Sequence, residues 1–138
     1  MIDKKPGYRE IHHTADAKLD VWAGSIEVLF SNALEGMYQL IGISSNLAGN
    51  FNSVELRFSA EDREELLVAF LSECLFYIYE KRLLLVIKKL LIFENNLICE
   101  MNSFPISDIE REIKAVTYHN IEIKQNKTNF IVQLTFDL

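Results

Sequence analysis

The sequence predicts an α+β fold, with two amphipathic helices packed on a mostly antiparallel or mixed β-sheet. Two stretches, residues 25–42 and 59–82, carry apolar residues at helical spacing, whereas several others alternate or run apolar as strands do. The strands follow one another rather than alternating strictly with helices, which favours the α+β class. Because the 138 residues contain no linker, repeat or low-complexity segment, we expect residues 1–138 to form a single domain.

The first elements are expected to be two strands and a helix. Residues 7–13 fit a short first strand, and residues 17–23 alternate between apolar and polar side chains as a second strand does. Ser25 is the expected N-cap of the first helix, and Glu27 suits its first turn because of the helix dipole. The apolar stripe that follows predicts that this helix ends near Gly42.

The middle of the chain predicts another strand and the second helix. Residues 54–58 alternate as a strand, and Ser59 is the expected start of the helix. Acidic residues crowd the N-terminal turns of this helix, while Lys81 and Arg82 lie at its C-terminal end, where the dipole prefers cations. The second helix is therefore predicted to run up to these two basic residues.

The last third of the chain is expected to be mostly β. Separate strands are predicted over LLLVI, LLIF and LICEM, with a turn at Asn95-Asn96 before the third, and an acidic loop is expected from Pro105 to Glu112. Two final strands are predicted at residues 114–123 and 129–136, joined by a turn-like KQNKT segment.

Composition limits the classes of function. The formal net charge is −6, so an acidic domain of this kind gains little from counterion release and is not expected to bind nucleic acid strongly. No signal peptide is visible at the N-terminus, and the longest apolar runs are too short to cross a bilayer, so we expect a cytoplasmic protein without a membrane partner. Cys74 and Cys99 lie among apolar residues and are expected to be buried, reduced thiols.

No classical catalytic motif occurs in the sequence. The patterns GxSxG, HExxH, GxGxxG and the Walker A loop are all missing. Any chemistry must therefore depend on residues that are dispersed along the chain.

The segment HHTAD is the first candidate. Asp16 precedes a predicted strand, in a position where functional residues are common, although a simple turn with Asp16 bonded to nearby amides is the competing interpretation. His12 and His13 are adjacent and would point to opposite faces of a strand. At most one of these histidines can therefore join Asp16 at a site.

The end of the sequence and the strand at residue 114 supply two further candidates. The strand FIVQLTF is apolar up to Asp137, so we expect this carboxylate to be fixed in the sheet, the alternative being a frayed and solvated end. Lys114 begins a predicted strand and is expected to reach a site at the sheet edge, the alternative being a solvated edge lysine.

Taken together, these segments resemble the archease family. The resemblance is carried by HTADAKLDVWAGSIEVLFSNALEGMYQLI, by EELLVAFLSECLFYIYE, by IKAVTYHNIEI and by the terminal FDL, which together span nearly the whole chain. It implies a non-enzymatic protein that activates an RtcB-type RNA ligase in tRNA splicing and RNA repair, by promoting ligase guanylylation and multiple turnover.

The resemblance also implies a divalent-metal site. Its ligands would be Asp16, Asp137 and a carbonyl or carboxylate oxygen of Leu138, with Lys114 as a further functional residue and His13 as a motif residue without an assigned role. Oxygen ligands suit calcium, with magnesium or manganese as alternatives. We therefore expect the two aspartates to lie side by side.

Two other functions remain open from the residues alone. One is a metal-binding protein-interaction module without a specific role toward a ligase. The other is a small metal-dependent hydrolase or isomerase, whose site would combine Asp16, Lys114, His13 and Asp137.

Overall fold

The computed structural model describes residues 7–11, 16–49 and 51–138. The elements of these residues, in chain order, are β1 (Tyr8–Ile11), β2 (Asp16–Ala23), α1 (Ile26–Ile41), β3 (Ile43–Ser45), β4 (Asn52–Ser59), α2 (Arg63–Lys81), β5 (Leu83–Phe93), β6 (Asn96–Ile109), β7 (Ala115–Val116), β8 (Lys124–Gln125) and β9 (Phe130–Asp137). The α+β class is confirmed.

The strands form two antiparallel sheets rather than one. In the first sheet the order is β1-β2-β9-β7, and β8 also pairs with β9. In the second sheet β6 pairs with β3, β4 and β5. Because β4 and β5 pair with the same stretch of β6, they lie on its opposite sides.

Helix α1 has the limits that its sequence predicts. The Ser25 side chain accepts a hydrogen bond from the N–H of Val28 at 3.2 Å and caps the N-terminus. Gly42 ends the helix in the left-handed conformation, with φ of 72°, and donates its N–H to the carbonyl of Tyr38. A glycine is favoured there because a side chain would be strained at this φ.

Both helices contact strands of both sheets, so the two sheets and the helices enclose one hydrophobic core. The alternation of β2 is confirmed, since Ala17, Leu19, Val21 and Ala23 are buried while the residues between them are half-buried. Cys74 and Cys99 are both buried and reduced, as expected.

Helix α2 begins later than predicted. Its N-cap is Asp62, whose side chain accepts from the N–H of Glu65 at 2.8 Å, and not Ser59. Ser59 is instead the last residue of β4, where it lies opposite Asn96 and donates a hydrogen bond to its side chain. Either residue type makes a good N-cap, and the extension of the β4 ladder decides between them.

Three predictions for the last third are wrong. Residues 83–93 form one strand with an irregularity between Ile87 and Lys89, not two strands. The expected loop at Pro105 is largely strand, because β6 continues to Ile109 by pairing with β3. The expected strand at 114–123 is reduced to the two residues of β7.

The short β7 has a local cause. A hydrogen bond from the N–H of Ile121 to the carbonyl of Tyr118 closes a turn, and Asn120 has a φ of 61°. This turn lifts the chain away from the sheet before it returns as β8. Neither helix in the described ranges is long and apolar enough to span a bilayer.

Candidate metal centre

The ladder between β2 and β9 brings Asp16 and Asp137 together. It runs from Ala23 opposite Phe130 to Asp16 opposite Asp137, without a break in register. Directly opposed residues in an antiparallel pair have Cα atoms about 4.5–5.5 Å apart. The neighbouring pair, Ala17 and Phe136, is buried, so the two aspartates lie on the other, outward face. Asp16, expected in the loop before the strand, is its first residue.

Asp137 is held by strands on both sides. Its carbonyl accepts the N–H of Lys114 at 2.8 Å, and its Oδ1 accepts the hydroxyl of Thr117 at 3.3 Å. The N–H of Thr117 in turn donates to the carbonyl of Thr135 at 2.9 Å. The expectation that Asp137 is fixed in the sheet, rather than frayed, is therefore confirmed.

The two carboxylates open onto a cleft of about 460 Å³. Its lining is polar apart from one isoleucine and consists of Asp16, Lys18, Thr117, His119, Asn120, Ile121, Gln133, Thr135 and Asp137. The floor comes from the outward residues of β2 and β9, and the remainder comes from the segment between β7 and β8.

The donor set in this cleft suits a hard divalent cation. Two opposed carboxylates repel each other in the absence of a counter-charge and supply only oxygen ligands, which calcium, magnesium and manganese prefer. Within the described ranges, no cluster of three or more His, Cys, Asp or Glu side chains suitable for a metal exists. A cation held by Asp16 and Asp137 would therefore take further oxygen ligands from water, from Leu138 or from a partner.

The other predicted site residues are distributed differently. Leu138 directly follows Asp137 and is 37% exposed. Lys114 bonds to Asp137 through its backbone, but it lines a separate depression with Phe76, Tyr79 and Glu80 of α2. Lys114 therefore does not share the cleft of the two aspartates. His12 and His13 lie outside the described residues.

Sequence reasoning identified only Asp16 and Asp137 among the residues of the cleft and missed the others. Lys18, Gln133 and Thr135 share the outward face with the aspartates. The alternation within each strand shows which residues share a face, but only the register between β2 and β9 shows that the two sets lie side by side. His119 lines the cleft because the chain turns after β7. This turn depends on the positive φ of Asn120, which the sequence pattern does not indicate.

Comparison with known proteins agrees with this architecture. The sequence model of the Archease protein family (MTH1598/TM1083) matches residues 8–138. Protein archease of Methanosarcina barkeri is 28% identical over 154 residues, covering 100% of both chains. Protein archease of Methanosarcina mazei is 29% identical over 145 residues, covering 95% of each.

Two solved structures share the fold. The solution structure of protein 1598 from Methanobacterium thermoautotrophicum has a TM-score of 0.69 at 22% identity, covering 97% of this chain and 100% of that one. The crystal structure of an archease from Thermotoga maritima, described as a possible chaperone, has a TM-score of 0.69 at 22% identity, covering 100% of this chain and 99% of that one. The match over residues 8–138 shows that this chain belongs to the archease protein family.

Proposed function

We propose that this protein activates an RtcB-type RNA ligase in tRNA splicing and RNA repair, by promoting guanylylation of the ligase and its multiple turnover through a divalent-metal site. The observation that carries the proposal is the cross-strand pair of Asp16 and Asp137, two outward carboxylates at one end of a cleft-bearing sheet. Family membership supports the same conclusion. In this proposal the ligase performs the covalent chemistry.

In this proposal each residue of the site has a separate role. Asp16 and Asp137 would hold the cation, and Leu138 would add a carbonyl or carboxylate oxygen. Calcium is the ion we favour, with magnesium or manganese as alternatives. When bound, the ion would neutralise the two carboxylates and offer open positions to oxygen atoms of a partner's nucleotide. Thr117 would keep the Asp137 carboxylate oriented through its hydroxyl, which donates to Oδ1.

The cleft also supplies a positive charge and neutral donors beside the carboxylates. Lys18 is the next outward residue of β2 after Asp16, and Thr135 lies opposite it on β9. Such groups suit the phosphate oxygens of a partner's bound nucleotide, because an ammonium and a hydroxyl both donate hydrogen bonds. In this role the cleft orients groups without making or breaking covalent bonds.

The geometry favours the activator over a small metal-dependent enzyme. An enzyme built on Asp16, Asp137 and Lys114 requires these side chains around one substrate, whereas Lys114 lines a different depression. Lys114 fits better as part of a contact surface beside α2. In an activator, the cleft and this surface can both face the ligase.

The test is a multiple-turnover ligation assay with the cognate ligase and this protein as the variable. Asp16→Asn removes one carboxylate charge with little change of shape and is expected to reduce the stimulation by about tenfold or more, since even outer-shell changes at metal sites reach this size. Asp20→Asn is the matched control on the same strand and face, where Asp20 bonds to Arg9 and Gln133 instead. Full stimulation by Asp16→Asn would contradict the proposal.

A further inference from the structure

Among the residues that the structure describes, strand β4 forms an unpaired edge of the second sheet. On one side it pairs with β6 along its whole length, from Asn52 opposite Ser103 to Ser59 opposite Asn96. Its other side meets no strand among the described residues. An unpaired edge of eight residues presents a row of free N–H and C=O groups, which is a template for pairing with another strand.

The opposite edge of the same sheet, β5, is protected in ways that β4 is not. Glu27 of α1 accepts a hydrogen bond from the N–H of Ile92 at 3.4 Å, and the hydroxyl of Tyr38 donates to the carbonyl of Leu85 at 2.7 Å. The irregularity near Lys88 and a second lysine beside it further discourage strand addition. The side-chain bonds recorded for β4 in the described ranges instead stay within the strand or reach back to β6.

The sequence of β4 is complementary to itself when read in the opposite direction. If two copies pair antiparallel with Leu56 opposite Leu56, then Glu55 of each copy lies opposite Arg57 of the other. The same register places Val54 opposite Phe58 and Ser53 opposite Ser59. Opposite charges and apolar pairs on facing positions each favour such a ladder.

The exposure of these residues agrees with that register. Glu55 and Arg57 are exposed on the outward face of the sheet, whereas Val54 and Phe58 are half-buried on the face that packs on the core. Pairing around Leu56 keeps each residue on the face it already occupies, so charges meet charges and apolar side chains meet apolar side chains. A shift by one residue would bring unlike faces together.

We propose that β4 is a homodimerisation edge, at which a second copy of this chain adds its own β4 in antiparallel register around Leu56. The pairing is isologous, as a two-fold axis through Leu56 requires. This pairing joins the second sheet of one copy and the second sheet of the other into one continuous sheet. Asp16 and Asp137 lie in the other sheet, so the inference is independent of the metal site.

The first experiment measures mass by light scattering over a concentration series. The expected result is a concentration-dependent species of twice the 16.0 kDa chain mass. Glu55→Arg places like charges opposite at two symmetric positions and is expected to weaken association about tenfold. The double variant Glu55→Arg/Arg57→Glu restores both opposed pairs and is expected to restore the dimer.

The control is Glu100→Arg, the same change of charge on the adjacent strand β6, directly opposite Glu55 but away from the edge. It is expected to leave association unchanged. A monomer at every concentration would overturn the proposal, as would a dimer whose association is the same with Glu55→Arg as with the wild type.

A second experiment tests the register and remains informative if a charge variant folds poorly. Ser53→Cys and Ser59→Cys are small changes at exposed positions. Mixing the two variants under oxidising conditions is expected to give a disulfide-linked dimer, because the proposed register puts these residues directly opposite each other. In a dimer formed by either variant alone, the thiols of the two copies would lie about 20 Å apart, so this dimer is expected to remain uncrosslinked. Equal crosslinking in all three samples would contradict the register.

Discussion

Asp16 lies directly opposite Asp137 on the outward face of the first sheet, although the two residues come from the beginning and the end of the sequence. Like charges at directly opposed positions destabilise a sheet, typically by a few tenths of a kcal/mol up to about 1 kcal/mol. A divalent cation bound between the two carboxylates would interact favourably with both of them.

Cation binding is expected to stabilise the protein through this pair. Adding calcium should raise the melting temperature of the wild type, since a ligand that binds only the folded state shifts the unfolding equilibrium. Asp137→Asn should abolish the shift while keeping the oxygen that accepts from Thr117. Differential scanning fluorimetry with and without calcium measures both, and Asp20→Asn should respond like the wild type. An equal shift in Asp137→Asn would exclude this carboxylate as a ligand.

Gly36 is expected to be intolerant of a side chain despite lying inside a helix. A Cβ atom at this position would lie 2.6 Å from Cδ2 of Leu19 and 2.8 Å from Cγ of Tyr8, where α1 meets the first sheet. Gly36→Ala should therefore lower the free energy of unfolding by about 1–3 kcal/mol, although alanine is the better helix former. Gly24→Ala is the control, because nothing lies within 4 Å of its Cβ. Urea denaturation that finds Gly36→Ala more stable than the wild type would refute the close contact.

The hydroxyl of Tyr79 is expected to hold the segment that leads into β7. It accepts the N–H of Ile113 at 2.8 Å and donates to the carbonyl of Arg111 at 3.2 Å. Tyr79→Phe leaves this N–H without its acceptor and should cost about 1–3 kcal/mol of unfolding free energy. Hydrogen exchange at Ile113 should accelerate at the same time. Tyr77→Phe on the same helix is the comparison, and similar losses in both variants would argue against a specific role of the Tyr79 hydroxyl.

The buried thiols are expected to make the protein less stable at alkaline pH. Burial raises the pKa of Cys99 from 9.0 to about 12, with a further contribution from the charge of Glu100, and burial also raises the pKa of Cys74. The folded state therefore favours the protonated thiol. This contribution is fully present below about pH 9 and is lost as the pH rises from there toward about 12, because the unfolded chain ionises first.

Urea midpoints measured at increasing pH above 8 should accordingly fall, and Cys99→Ala should show a smaller decrease. In the native state at about pH 8, neither thiol should react rapidly with a thiol-specific disulfide reagent, whereas both should react in denaturant. Rapid modification of one cysteine in the native protein would contradict the burial on which the prediction depends.

The helices and the alternation of β2 were predictable because each depends on local pattern. The apolar stripe, Ser25 and Gly42 together determine α1, and all three are visible within one stretch of sequence. The start of α2 was not predictable in this way, because Ser59 and Asp62 are both suitable caps. The choice depends on Asn96, which extends the β4 ladder from elsewhere in the chain.

In the candidate site, too, local patterns indicate single residues but not how they come together. The family resemblance and the apolar strand FIVQLTF indicate Asp137 as a site residue, and the segment HHTAD indicates Asp16. Their contact depends on the register between β2 and β9, which no local pattern contains. For Lys114, the pattern KAVTYH predicts a longer strand, but β7 covers only Ala115–Val116. Lys114 lies before this strand and lines the depression beside α2 instead of the cleft.

Because the β2–β9 ladder is uninterrupted, the aspartate pair depends on the number of residues in each strand. Deleting one residue from the interior of β9 would rotate Asp137 to the side now occupied by Phe136, whereas deleting two would preserve its direction. The turn before β9, at residues 126–129, carries no such constraint, since its length does not set which way Asp137 faces. Deleting two residues would still move Asp137 from its place opposite Asp16 to one opposite Lys18. Insertions and deletions should therefore be tolerated in that turn but not inside β9.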